Sequence, residues 1–317
     1  MSNEPPSHLD VHDSFVKSDS IRIATREFAP VFPTRSVPIV LLHGLGGSLA
    51  DWTPIARRLA HGRRVVAFDM RGSGKSDTGP WSWEAALDDL EAVIKHYQLA
   101  TPMVVGWSLG GMVAALWGHR NPSSATVINL DGHPVPGPPD QYEGLAPDVL
   151  HGEIERLRKQ FLEMVSAHPP AMTEAQVASM VEATRSPAKD DEAADRAEEA
   201  IRRRLQQDDD GWLMKPGVET LTQILGELEQ LDLVKVYAES AAATLVVLAT
   251  KDVAGQEEFA ELMAAHRRGL NREFAKIAET NDRFRVINFA GADHAMVMTH
   301  EDEIVKLIWS SENEFDQ

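Results

Sequence analysis

The chain of 317 residues contains no cysteine. That excludes structural disulfides and a thiol nucleophile, and it leaves the redox compartment open, because a chain without thiols tolerates either. Positive charge is scarce. Against 49 Asp and Glu stand 31 Lys and Arg, a formal net charge of −18 that argues against nucleic acid and anionic membrane surfaces as partners. No run of about 20 apolar residues occurs, so neither a transmembrane helix nor membrane insertion is expected. The polar start, Met1 to Asp13, lacks a basic region followed by an apolar one and does not read as a secretory signal. Composition instead predicts a flexible leader over residues 1–18, and the missing export signal makes a cytoplasmic location the expectation. Metal-ligand spacing is also missing: no H-E-x-x-H occurs among the histidines. Gly44-Leu45-Gly46-Gly47 lacks the third glycine of a dinucleotide fingerprint, and Gly72-Ser73-Gly74-Lys75-Ser76 lacks full phosphate-loop spacing.

What is present is a core. With 43% hydrophobic residues the chain can bury one large α/β domain with an insertion, or two small domains. Apolar runs rich in β-branched residues predict strands at Val37–Leu42, Arg64–Phe68, Val104–Trp107, Thr126–Leu130, Thr244–Ala249 and Phe284–Phe289. Asp19 to Thr25 alternates like an edge strand. Helical spacing marks Leu49–Ala60, Trp83–Tyr97 and Leu109–Arg120, and a long helix from Gln256 to Ala278 with a break near Gly269. Strands alternating with helices imply βαβ units and a mainly parallel sheet. From Asp131 to Pro147 the composition turns to Pro and Gly, and from Val149 to Ser240 it is helical, charged and strand-poor. Ala188 to Gln207 reads as a polar helix stopped by Asp208-Asp209-Asp210-Gly211. The expected division is a core of 19–131 and 241–317 with a helical cap inserted at 132–240.

One stretch carries chemistry. Val104-Val105-Gly106-Trp107-Ser108-Leu109-Gly110-Gly111 is a strand end, a G-x-S-x-G turn and the start of a helix. Such a turn strains the serine so that its hydroxyl projects into a cleft, and it places the Leu109 N–H at a helix N-terminus, ready to stabilise an oxyanion. A serine needs a base, and the base an orienting acid. Two late strands end in candidates: Thr250-Lys251-Asp252, and Ala290-Gly291-Ala292-Asp293-His294. The expected triad is Ser108, Asp252 and His294. Asp293, adjacent to the base, reads as a loop carboxylate.

The His43-Gly44 turn, the Asp69-Met70-Arg71-Gly72-Ser73-Gly74-Lys75-Ser76 segment, the elbow at Ser108 and the late Asp252 and His294 together resemble the α/β-hydrolase fold. The likeness covers about residues 19–130 and 243–312. It implies a mainly parallel sheet of the eight-stranded type, flanked by helices, under an inserted helical cap. It gives Leu45 the role of second oxyanion donor beside Leu109, and it offers Asp131 as an alternative acid, since some relatives carry the acid after that strand. The elbow resembles that of small esterases. Trp107 and His43 in the core, and Tyr142 and Trp212 in the cap, are substrate-binding candidates. The expected activity is hydrolysis of a small or medium carboxylic ester, thioester or lactone through an acyl-enzyme, with no cofactor and no metal. Carbon–carbon bond hydrolysis, cofactor-free haloperoxidation and ligand reception are the alternatives. The expected partner is a small-molecule substrate, with homodimerisation left open.

Overall fold

Four short runs, Ile39–Leu42, Val65–Phe68, Met103–Trp107 and Val127–Leu130, are buried at every position. A strand apolar on both sides belongs in a parallel sheet covered on both faces. In the computed structural model of the chain, which describes residues 9–32, 34, 36–123, 126–188, 190–252 and 257–311, that is where they lie. The strands are β1 (Leu9–Ser18), β2 (Ile21–Pro30), β3 (Ile39–Leu42), β4 (Val65–Phe68), β5 (Met103–Trp107), β6 (Val127–Leu130), β7 (Leu205–Asp208), β8 (Gly211–Met214), β9 (Thr244–Ala249) and β10 (Phe284–Phe289). Eight of them form one sheet in the order β1-β2-β4-β3-β5-β6-β9-β10, with β7 and β8 as a separate pair. The links from β4 through β10 are parallel; β1–β2 and β2–β4 are antiparallel.

The helices are α1 (Thr53–Leu59), α2 (Trp83–His96), α3 (Leu109–Arg120), α4 (Pro147–Ser166), α5 (Glu174–Arg185), α6 (Asp191–Arg203), α7 (Val218–Leu228), α8 (Leu233–Glu239), α9 (Ala260–Thr280), α10 (Met296–Thr299) and α11 (Glu301–Ser311). Period-two alternation divides the core between two layers. Ile39 and Leu41 pack with Ile55, Leu59, Ile304 and Ile308 of α1 and α11, whereas Val40 and Leu42 pack with Leu87, Leu90 and Val113 of α2 and α3. Among the described residues no helix is long and apolar enough to cross a membrane.

Four expectations are revised. The leader predicted over residues 1–18 is a strand from Leu9 onward, and β1 pairs all ten of its residues with β2; residues 1–8 lie outside the described ones. Leu9 and Val11 pack on one layer and Val16 on the other, so no single face of β1 shows an apolar stripe. The predicted helix Ala188–Gln207 stops early, and its tail becomes β7. The hairpin turn is closed by Asp208 Oδ1, which accepts from the N–H of Asp210 at 3.0 Å and of Gly211 at 3.1 Å. Helix α8 falls inside the segment assigned to the cap, yet its Leu233 and Tyr237 pack with Val246, Leu248 and Phe274 in the core. Finally, α9 runs unbroken through Gly269 (Gln256 is outside the described residues). Glycine serves close approach there: a Cβ would stand 2.1 Å from the Gln141 carbonyl oxygen.

The inserted segment is bound to the core by buried charge. Arg203, 2% exposed, donates from Nε to Oδ2 of the fully buried Asp69 at 2.8 Å. Asp69 also accepts the N–H groups of Leu49 at 2.7 Å and Lys75 at 2.8 Å. Arg204 reaches Asp51 at 2.8 Å, and Lys215 donates to the Ser76 carbonyl.

Candidate active site

The β5–α3 junction is an elbow. Ser108 sits at φ 55° and ψ −122°, a strained conformation for a side-chain-bearing residue. Glycines make it buildable. A Cβ on Gly106 would lie 2.0 Å from the Gly110 carbonyl oxygen, and one on Gly110 would lie 2.5 Å from that of Leu42. The Ser108 N–H donates to Leu130 O at 3.0 Å, which ties the elbow to β6. Because α3 starts at Leu109, the positive end of its dipole adjoins the hydroxyl.

His294 follows β10. Its Nε2 is 3.0 Å from Ser108 Oγ, and its Nδ1 is 2.7 Å from Asp131 Oδ2. The carboxylate behind the histidine is therefore Asp131, and the expectation of Asp252 in that place is corrected. Strand neighbourhood and backbone conformation explain the difference. β6 pairs directly with β5, and Asp131 at its end adopts a left-handed φ of 54°. Its N–H donates to Val247 O at 2.7 Å, and its Oδ1 accepts from the Ala249 N–H at 2.8 Å, leaving Oδ2 for the histidine. After β9 the chain is held differently. The Thr250 and Lys251 N–H groups both donate to Ala292 O at 3.0 Å. Asp252, 38% exposed, turns to Arg267 of α9, whose Nη1 donates to it at 2.6 Å. Asp293 accepts from the Ala295 N–H at 2.9 Å and holds the turn.

Electrostatics suit a carboxylate at Asp131. Burial acts to raise its pKa, but hydrogen bonds and positive charge from His133 and His294 outweigh this and leave it well below the ordinary value. His133 Nε2 lies 3.4 Å from Asp131 Oδ1. His266 of α9 is buried beside this pair. Burial first, then the charge of His133, pushes its pKa down to about 3, so it is neutral. Sequence reasoning missed both histidines. His266 shares helical spacing with Leu262 and Leu270 and reads as core; His133 stands two residues beyond Asp131 in a Pro- and Gly-rich loop.

Ser108, Asp131 and His294 border a cavity of about 300 Å³, with Leu45 and Leu109 in its wall. The other predicted binding residues lie elsewhere. His43 is fully buried beneath the loop, donating from Nδ1 to Gly44 O at 2.7 Å and accepting the Met70 N–H at 3.0 Å; burial lowers its pKa. Trp107 donates from Nε1 to the His294 carbonyl at 2.7 Å and so supports the base from behind. Tyr142 stacks on His266 at 4.7 Å and accepts the Gly137 N–H, with burial raising its pKa to about 12. Trp212 is in the hairpin, donating to Glu174 at 2.8 Å.

Solved structures share this architecture at low identity. E-2-(acetamidomethylene)succinate hydrolase superposes with a TM-score of 0.66 at 18% identity, covering 96% of this chain and 98% of that one. The enol-lactonase from Burkholderia xenovorans LB400 gives 0.59 at 18%, covering 94% and 99%. Curated relatives match over a shorter stretch. The pimeloyl-[acyl-carrier protein] methyl ester esterase of Sodalis glossinidius is 32% identical over 130 residues, 40% of this chain and 49% of the relative. The sn-1-specific diacylglycerol lipase of Mus musculus is 34% identical over 110 residues, 33% and 36%. The chain thus spans half or less of the length of these relatives. The model of the alpha/beta hydrolase family matches residues 39–307, most of the chain, and to that family the chain belongs.

Proposed function

We propose that the protein is a serine hydrolase that cleaves a carboxylic ester, thioester or lactone through an acyl-enzyme on Ser108. The observation that carries this reading is the unbroken line from Ser108 Oγ through both ring nitrogens of His294 to Asp131. With the Nδ1 proton held by Asp131, His294 Nε2 carries a lone pair toward the hydroxyl and takes its proton as Oγ attacks the carbonyl carbon. The N–H groups of Leu45 and Leu109 receive the tetrahedral oxyanion, at about 2.7–4 kcal/mol for each donor. His294 then protonates the leaving oxygen or sulfur, and a water activated by the same nitrogen releases the acid. Asp131 orients the ring and stabilises its cationic form. The names borne by the relatives, a methyl ester esterase and a diacylglycerol lipase, favour oxygen esters. The inserted segment is the lid over this chemistry, because Leu157 and Phe161 of α4 and Leu228 of α7 wall the cavity.

A fluorophosphonate probe tests the reading. The folded protein should gain one adduct, mapped by mass spectrometry to Ser108, and Ser108→Ala should gain none. A folded sample that stays unlabelled overturns it and favours a ligand receptor.

A further inference from the structure

The cavity above Ser108 has two unlike ends. Lys251, Asp252 and Arg267 give it a polar wall, and the loop that bears Lys251 is hydrogen-bonded to Ala292, two residues before His294. Beyond the triad and the side chains of His133 and His266, the rest of its wall is apolar, with Met112, Leu157, Phe161 and Leu228. In acyl transfer the leaving group must lie at His294 Nε2 to receive the proton, on the polar side. The acyl portion then extends the other way, toward Met112 and Phe161.

That apolar end continues. A second cavity, about 240 Å³, lies between α4 and α7, and Val135, Phe161 and Leu228 belong to the walls of both. Beyond these three its apolar lining is Pro136, Leu162 and Leu225, with Leu162 61% exposed, and Glu155, Arg158, Lys159 and Glu229 supply a charged border. Arg158 spans the rim, donating to Glu155 at 2.6 Å and lying 3.7 Å from Glu229 across on the α7 side. A volume of 300 Å³ is at the lower end for ligand pockets, about 300–1,000 Å³. It suits a narrow linear chain, and the second cavity gives that chain room to lengthen.

We propose that the protein selects linear acyl chains of medium length, hexanoyl to octanoyl, which run from Ser108 past Val135, Phe161 and Leu228 into the channel between α4 and α7. The selection rests on the acyl-transfer reading above. Its energetic source is methylene burial, worth about fourfold in kcat/KM for each group taken from water. The alcohol side lies against charged residues and gains no such increment.

The test is a series of p-nitrophenyl esters from acetate to dodecanoate, expected to fall off beyond octanoate, beside a series of alkyl acetates, on the full chain. The acyl series should rise by about two orders of magnitude in kcat/KM between acetate and hexanoate, while the alkyl acetates stay flat. Phe161→Trp should lower the octanoate-to-acetate ratio at least tenfold, and Phe161→Ala should move the optimum to longer chains. Leu225→Trp, farther from Ser108, provides the same narrowing should the first variant misfold. A flat acyl series, or a preference carried by the alkyl acetates, overturns the proposal while Ser108 labelling remains. Loss of Ser108 labelling in the native protein overturns the acyl-transfer reading itself.

Discussion

Two aspartates compete for one role at the residue scale, and geometry separates them. Asp131 has one oxygen fixed by the Ala249 N–H and the other at 2.7 Å from His294, whereas Asp252 is half in solvent and paired with Arg267. Asp131→Asn should therefore lower kcat by about 10⁴-fold through the wrong imidazole tautomer. Asp252→Asn should change it by no more than a few fold; steady-state kinetics on an ester that labels Ser108 would show the reverse if the assignment is wrong. Ser108 and His294, which lie 3.0 Å apart, stood out in the chain because an elbow is a local pattern and His294 follows an alternating strand. The acid was not, because both aspartates follow an apolar strand. What decides between them is a left-handed φ at Asp131 and the lateral neighbours of β6, and neither is written into a run of side chains.

Burial decides how much each ion pair contributes at the element scale. Arg203 at the end of α6 and Asp69 after β4 are almost completely removed from water, while Arg22 and Asp77 are 64% and 33% exposed. Arg203→Met should cost about 3–5 kcal/mol, because it leaves Asp69 charged and buried without its cation. Arg22→Met should leave the urea midpoint nearly unchanged, because water screens that pair. Urea unfolding at neutral pH measures both, and equal losses would contradict the argument. The elements themselves were legible where their side chains form a continuous or alternating apolar pattern. β9 and β10 have the predicted bounds because their apolar runs are continuous or alternating. β1 escaped because its few apolar residues serve opposite layers, and β7 because Gln206, Gln207 and Asp208 are exposed and gain order only from pairing with β8.

For the whole molecule, two buried histidines couple stability to acidity. Burial lowers the pKa of His43, which faces Asp69, Asp51 and Arg204, and that of His266, which faces His133, Asp131 and Arg267. Both take up a proton less readily in the native state than unfolded, where the ordinary value is about 6.5, and His266, at about 3, stays neutral. Their contribution is complete above the ordinary value and is lost as pH falls toward the native values, with His266 adding a slope of about 1.4 kcal/mol per pH unit and His43 acting in the same direction. The urea midpoint should fall between pH 7.5 and 5.0, and His266→Phe, which keeps a ring against Tyr142, should flatten the fall. A midpoint constant over this range in the native protein would refute the linkage. The bridge from Arg203 to Asp69, with Arg204 on Asp51 and Lys215 on Ser76, also bears on portability. Grafted alone onto a related sheet, residues 132–240 would arrive with three cations and no anions or carbonyl placed to receive them. A chimaera that is to fold must carry Asp51 and the turn from Asp69 to Ser76 along with residues 132–240, so this segment and its seat on the sheet are inherited as a set of matched surfaces.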